Sequence, residues 1–580
     1  LAGEQTTVDF DGDGLLRFKV DKAVLDNAAK LEDQVANSGQ ISADGGQIMI
    51  TARAAADVFD KSINNSGVIK AGRIEKSGGR ILLTGVGPTS SVLNTGSIDA
   101  SAARVSDDGG SIKVRGDAIE NRGALTADAR QGQGGSIEVT AESKATFNQG
   151  SEVSATSSRG KGGRVKASAA QLAFNFDAAV DVSGGKGGGE ALLGGDLHGA
   201  NPAMRNAQQV FVASNVDIKD DATAKGEGGK VVVWSDDITR FHGSISARGG
   251  AQGGNGGMVE VSGKQHLLFA GAADTSAPFG TLGTLLLDPT VLHIRDTGGA
   301  GQEDGFLPSV DEVDDSAGAG QVDSVSWSAI NALGPTAQVV LTATNDITIE
   351  NMSGGTTTLT LAAGGTLTVT STLGNILFNT TTDTLKTSGG AVTFNTLVGG
   401  MTLGNFDTTV SGGNGALNFN SAGNLVFGNI KTGGAALTVD IASGKSASQR
   451  AATTLQGSTS LIKAGLGTLT LDQSNSYVGA TTINNGVLAV TLADALGGSG
   501  GASGTTVNSG GVLEINNVAI AAEPIRLAGG TLRGSGVAPS VDSDIALTAN
   551  SIIDVTGAEL VLNGVISGVG FGIEKKSAGL

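Results

Sequence analysis

The chain has no cysteine in 580 residues. That excludes disulfide staples, thiolate metal sites and cysteine nucleophiles. A cytosolic chain of this length usually keeps a few thiols and a secreted one usually oxidises them. A cysteine-free chain fits a third case, an extracellular protein that crosses a narrow pore unfolded. Aromatic residues make up only 3% and proline numbers 8, so any core must be narrow and filled by aliphatic side chains. Basic residues are outnumbered, 38 Lys and Arg against 56 Asp and Glu, for a net charge of −18. Such a balance excludes the clustered cations that nucleic acid demands, disfavours anionic membranes and keeps a long chain soluble. No apolar run is long enough to cross a bilayer as a helix.

What is abundant is glycine, 93 residues, and it recurs in order. One motif reads "NSGQISA" (Asn37–Ala43), "NSGVIKA" (Asn65–Ala71), "NTGSIDA" (Asn94–Ala100) and "NRGALTA" (Asn121–Ala127). "NQGSEVSA" (Asn148–Ala155) carries one extra residue. A second motif reads "GGQIMIT" from Gly45, "GGRILLT" from Gly78, "GGSIKVR" from Gly109, "GGSIEVT" from Gly134, "GGKVVVW" from Gly228 and "GGMVEVS" from Gly256. Repetition every few tens of residues means stacked units. Within a unit the period is two: Ile112 and Val114 point one way, Lys113 and Arg115 the other. A lone strand of this kind cannot bury its apolar side. Stacked in register, each strand gains a hydrogen-bonded neighbour and the apolar positions form ladders. The expected fold is all-β, a right-handed parallel β-helix.

Each punctuating residue has an expected task. The Gly-Gly corners should adopt positive φ, and the recurrent Asn should stack amide on amide from coil to coil. At about 4.8 Å per coil, roughly twenty coils would make a rod on the order of 100 Å long. Four segments are expected. Residues 1–294 carry the two motifs, with a protruding loop near 184–206. Residues 295–345 form a Gly/Asp-rich junction with a short helix in "SWSAINALGP" (Ser326–Pro335), stopped by Gly334 and Pro335. Residues 346–460 are Thr/Gly-rich coils of about 20–25 residues. Residues 461–580 repeat "LIKAGLGTLTLDQSNSYVGATTINNGVLAV" and "GTTVNSGGVLEI".

The two motifs, and above all the block from Gly194 through "GGDLHGANPAMRNAQQVFVASNVDIKDDATAKGEGGKVVVWSDDITRFHGSISARGG" to "GTLLLDPT" (Gly283–Thr290), resemble filamentous haemagglutinin-like exoproteins of two-partner secretion. The stretch Leu461–Ile515 resembles autotransporter-associated β-strand repeats. These resemblances imply a Gram-negative secreted protein, attached to the outer surface and exported by a separate outer-membrane transporter partner. Leu1–Val20 resembles the tail of such a family's secretion domain, and both ends read as those of a fragment.

Candidate sites are few. "DFDGDG" (Asp9–Gly14) mimics the start of a calcium loop, but the twelfth position, which needs a bidentate Glu, is Val20. "GGAGQEDGF" (Gly298–Phe306) is similar to a single calcium nonapeptide, whose ions sit between stacked copies. His198, His242, His266 and His293 lack zinc spacing. "GGSGG" (Gly497–Gly501) fits G-x-S-x-G without a following helix, which makes it a loop. Paired carboxylates at Asp107/Asp108, Asp220/Asp221, Asp236/Asp237 and Asp314/Asp315 are the only candidates for polysaccharide cleavage, and turn chemistry explains them equally. Arg115, Gly116 and Asp117 spell an adhesive tripeptide, expected on a turn at the strand exit. No metal and no cofactor is expected, and no catalytic residue is assigned. The leading expectation is a non-enzymatic adhesin. A self-associating matrix scaffold and a β-helical polysaccharide lyase or hydrolase are the alternatives. Circular dichroism should show parallel β-structure with very little helix, and scattering an elongated monomer. Abundant helix or a compact globule would contradict the reading.

Overall fold

The computed structural model describes the chain except residues 2–4, 10–14, 23–29, 44–45, 54–57, 73, 296–323, 334–336, 362–364, 499–503, 522 and 578–580. Strand accounts for 52% of the chain and helix for 3%, and apart from the antiparallel pair Thr6–Asp9 and Leu15–Val20 the strands run as parallel coils of a β-helix. Two compact units form: Leu1–Thr290 with Gly298–Val325 and Thr336–Val339, and Val291–Thr297 with Ser326–Pro335 and Val340–Leu580. The stack continues through Leu461, which pairs with Leu437 on one side and Thr481 on the other.

In the first unit one face is a nine-stranded sheet whose strands follow chain order, from Gln40–Ala43 through Ser97–Asp99 and Ala124–Thr126 to Ala272–Asp274. Each of its strands is one Asn-x-Gly motif or its equivalent, and each bonds to the next coil in parallel. The Gly-Gly motifs supply the longer strands, such as Ser111–Asn121 and Ser136–Phe147. Register aligns Ile48, Ile81, Ile112, Ile137 and Val165 in one ladder, every member almost wholly buried. Phe147 stacks on Phe174 with ring centroids 4.5 Å apart and Phe241 on Phe269 at 5.5 Å, both pairs 6° from parallel. Such stacking is what in-register repetition imposes on a flat side chain.

The amide ladder is present. Asn37 Nδ2 donates to Asn65 Oδ1 (2.8 Å), Asn65 to Asn94 (2.7 Å) and Asn94 to Asn121 (2.7 Å), at separations of 28, 29 and 27 residues. It closes on the Ser151 hydroxyl, 2.7 Å from Asn121 Nδ2, because the extra residue in "NQGSEVSA" displaces Asn148 from the line.

The glycine expectation holds at Gly46, with φ +105, and needs correction at the later corners. None of Gly109, Gly110, Gly134 and Gly135 has positive φ. A Cβ on Gly110 would lie 2.1 Å from the Gly79 carbonyl oxygen, and one on Gly135 2.2 Å from that of Gly110. Close approach of stacked corners, not left-handed backbone, requires glycine there.

The second unit repeats the principle with coils mostly of 19 to 29 residues, a wider range than expected, as its register partners show. Leu367, Val392, Leu417, Leu437 and Leu461 form its ladder, and Phe394, Phe406 and Phe419 pack in tilted or edge contacts beside it. The helix is Trp327–Leu333 and buries Trp327, Ile330 and Leu333, one face at three-residue spacing.

Ile112→Asp places an unpaired charge between Ile81 and Ile137, at a cost of several kcal/mol. Its coils should become protease-sensitive, and wild-type resistance would contradict the inward facing of this ladder.

Candidate functional site

One coil that departs from the repeat lies between Glu190 and Lys230, register partners 40 residues apart. The sequence reading made 184–206 a protruding loop. In the structure Glu190–Leu193 is a strand of the stack, and the residues after it fold back as a strap over the outer face. An apolar patch holds it down: Met204 and Leu197 pack with Leu192, Val232 and Trp234. Val232 and Trp234 sit at positions that alternate outward, and covering them is why the extra residues return to the surface. Gly199, with φ +59, lies so close that a Cβ would be 2.3 Å from Trp234 Nε1. Only glycine fits both constraints.

Polar bonds complete the strap. Lys230 Nζ lies 2.5 Å from Asp196 Oδ1 and 3.4 Å from Glu190 Oε1. Asn201 Nδ2 donates to Asp196 Oδ2 (2.8 Å), and Asn206 Nδ2 to both Gly199 O and Asp236 Oδ1 (2.9 Å each). Burial works to raise the Asp196 carboxyl, but bonds from Lys230, Asn201 and the Leu197 amide hold it down at about 2.

At the far side of the strap stands a cluster that sequence spacing did not show. His198, in left-handed backbone at φ 54, brings its amide 3.0 Å from Glu260 Oε2. Its Nδ1 is 3.6 Å from Glu260 Oε1 and 3.3 Å from Asp288 Oδ2. Glu260 is wholly buried although it stands at an outward position of the strand Met258–Gly263, beside Val232 in register and under the strap, while its neighbours Val259 and Val261 point inward. Asp288 follows the strand Thr284–Leu287. Its amide donates to the Ser262 hydroxyl (3.1 Å), which in turn bonds Glu260. Burial pushes both carboxyls above their ordinary range, opposed by His198. Three groups 62 and 28 residues apart meet only because the strap lies across later coils. Nothing in the sequence hinted at it, since Glu260 in "MVEVS" falls at an outward position just as Glu138 does in "SIEVT".

The other candidates fall differently. Arg115, Gly116 and Asp117 lie within the strand Ser111–Asn121, at a register shift, rather than on a turn. Arg115 pairs with Glu138 at 3.0 Å. The Asp117 amide donates to Ser90 O (2.9 Å), and the Ser143 hydroxyl donates to its carbonyl (2.8 Å). The coils on both sides therefore consume this backbone, which corrects the expected display. Asp108 accepts from the Gln133 amide (2.6 Å) and Asp236 from Trp234 Nε1 (3.2 Å). Asp221 accepts from the Arg248 amide and guanidinium, 2.7 Å each. Asp220 is fully buried, accepts from the Gly189 amide, and is pushed well up by burial. Asp107 is buried at its turn. His242 lies beside the Phe211 ring, and His293 pairs with Glu350 at 2.8 Å. The stretches Gly298–Phe306 and Asp314/Asp315 lie outside the described residues, as do most of Asp9–Gly14 and Gly497–Gly501. An open groove of about 840 Å³ runs over the stacked corners Gly187–Gly189, Gly228–Gly229 and Gly256–Gly257.

In the second unit Lys463 occupies a ladder position between Val439 and Ile483. Wholly buried, its Nζ donates to the carbonyls of Ala464 (2.5 Å), Gly465 (2.9 Å) and Asn485 (3.2 Å). Burial lowers its pKa to about 8, against the pull of Asp440. These contacts tie one coil to the next through a single side chain.

Residues 461–490 match the passenger-associated transport repeat. This repeat belongs to secreted passenger domains, and Lys463 lies within the matched segment. The chain matches no curated protein.

The strap should respond to pH through Asp196. Its pKa is depressed on folding, from an ordinary 3.8 to about 2. Its contribution is therefore complete above about pH 4 and lost as pH falls through 2. In a Trp327→Phe background, Trp234 is the remaining one of two tryptophans and reports the strap by its emission. Emission should stay blue down to pH 4 and shift red below it. Asp196→Asn should already be red-shifted at pH 7, and unchanged emission there would contradict the anchoring role.

Proposed function

We propose that the chain is the β-helical portion of a non-enzymatic, secreted adhesin, of the filamentous haemagglutinin-like kind. In this reading a separate outer-membrane transporter exports it and it stays attached to the bacterial outer surface. The observation that carries the proposal is the passenger-associated repeat at 461–490, set in the same parallel stacking that organises each unit. Export fits the chemistry of the chain. It has no cysteine to oxidise in transit, and each coil that emerges can add to the coil before it by backbone hydrogen bonds, which favours onward movement. Ligand binding would then fall to outward side chains and to the strap. A non-enzymatic role is supported by the described carboxylate pairs, whose oxygens cap turns and pair with Arg248, Asn206 and Trp234 instead of facing a shared cleft.

The test uses the purified chain on cultured host cells and on immobilised matrix polysaccharides. The expected outcome is saturable attachment without release of sugar fragments. Attachment should be unchanged by Asp117→Glu, since the tripeptide lies in a strand. Release of unsaturated or reducing sugars, or the lack of saturable attachment to every surface, would overturn the proposal.

A further inference from the structure

We propose that His198, Glu260 and Asp288 form a divalent transition-metal site, with zinc the best-matched cation, that fastens the strap to the coils beneath it. The inference goes beyond adhesion and stands without it. Its first support is geometric. The His198 Nδ1 distances of 3.3 and 3.6 Å to the two carboxylates are long for charge-assisted hydrogen bonds, which cluster near about 2.8 Å. They match the edges of a tetrahedron around zinc, since bonds of about 2.0–2.1 Å set neighbouring donors roughly 3.3–3.4 Å apart. All three donor atoms lie within 4.8 Å of one another.

The second support is charge. Glu260 is wholly buried and Asp288 partly so, and His198 is a basic group that acts on both. Two carboxylates in a poorly solvated place face one imidazole, and a divalent cation there would balance both. The mixed nitrogen and oxygen donor set selects zinc or its neighbours over calcium and magnesium, which prefer oxygen alone. The supports behind the donors are also in place. The His198 amide and the Ser262 hydroxyl hold the Glu260 carboxylate, and Ser262 links it to the Asp288 amide, as outer partners fix ligand orientation in metal sites. His198 is half exposed, so a fourth position faces solvent and takes water.

Calorimetric titration of the untagged, chelator-stripped chain with zinc chloride tests this. One equivalent should bind, and cleavage by protease within 194–206 should slow when it does. His198→Ala, on a half-exposed strap residue, should weaken binding by more than about tenfold and abolish the protease protection, as should Glu260→Gln. No zinc binding by the parent, equal binding by the His198→Ala chain, or equally tight binding of calcium would overturn the proposal. Binding without protease protection would overturn the fastening role.

Discussion

Everything in both units depends on one constraint, that each coil lies in register on the previous one. Backbone hydrogen bonds set the spacing near 4.8 Å, and the register then decides which side chains meet their own kind. Ile112 meets Ile81 and Ile137, Asn94 meets Asn65 and Asn121, and Phe174 meets Phe147. A slip of one residue would turn every member of an apolar ladder outward. Apolar burial and the amide ladder therefore specify the same alignment, and disrupting one coil disturbs two neighbours. The constraint also explains the composition. At corners such as Gly110 the neighbouring backbone lies where a Cβ would stand, so abundant glycine follows from stacking distance.

Much of this was legible in the sequence because it is periodic. The coil motifs, their inward positions and the Asn ladder follow from repetition with period two inside a longer period, and the helix at Trp327–Leu333 follows from its stop signals. What was not legible is what breaks the period. The strap between Glu190 and Lys230 reads as a loop because its anchoring partners, Trp234, Asp236 and Lys230, lie a coil later. The cluster at His198, Glu260 and Asp288 draws its residues from three separate coils with no short motif. Nor could the sequence separate a corner glycine needed for φ from one needed for space, since both read as Gly-Gly. Arg115–Asp117 was placed on a turn because the alternation ends at Arg115, whereas pairing with Ser136–Phe147 carries the strand on to Asn121 through a register shift.

The departures from repetition are where specific chemistry collects. In the first unit the strap adds a covered tryptophan, a depressed carboxyl at Asp196 and a buried carboxyl at Glu260. In the second, Lys463 replaces an aliphatic ladder residue and satisfies its ammonium on three carbonyls. A regular coil can offer only outward side chains at fixed spacing. An inserted segment can bring distant groups together, as the strap does, without disturbing the stack that carries it.

The register itself is open to direct measurement, helped by the absence of native cysteine. Lys113 pairs with Glu138, and Glu138 with Lys166 one coil further. Cysteines at 113 and 138 would then sit at one coil spacing, within reach of a disulfide, and cysteines at 113 and 166 at twice that, beyond reach. Under mild oxidation at low protein concentration, Lys113→Cys/Glu138→Cys should cross-link within the chain and Lys113→Cys/Lys166→Cys should not. Failure of the first pair, or equal cross-linking of both, would contradict in-register stacking.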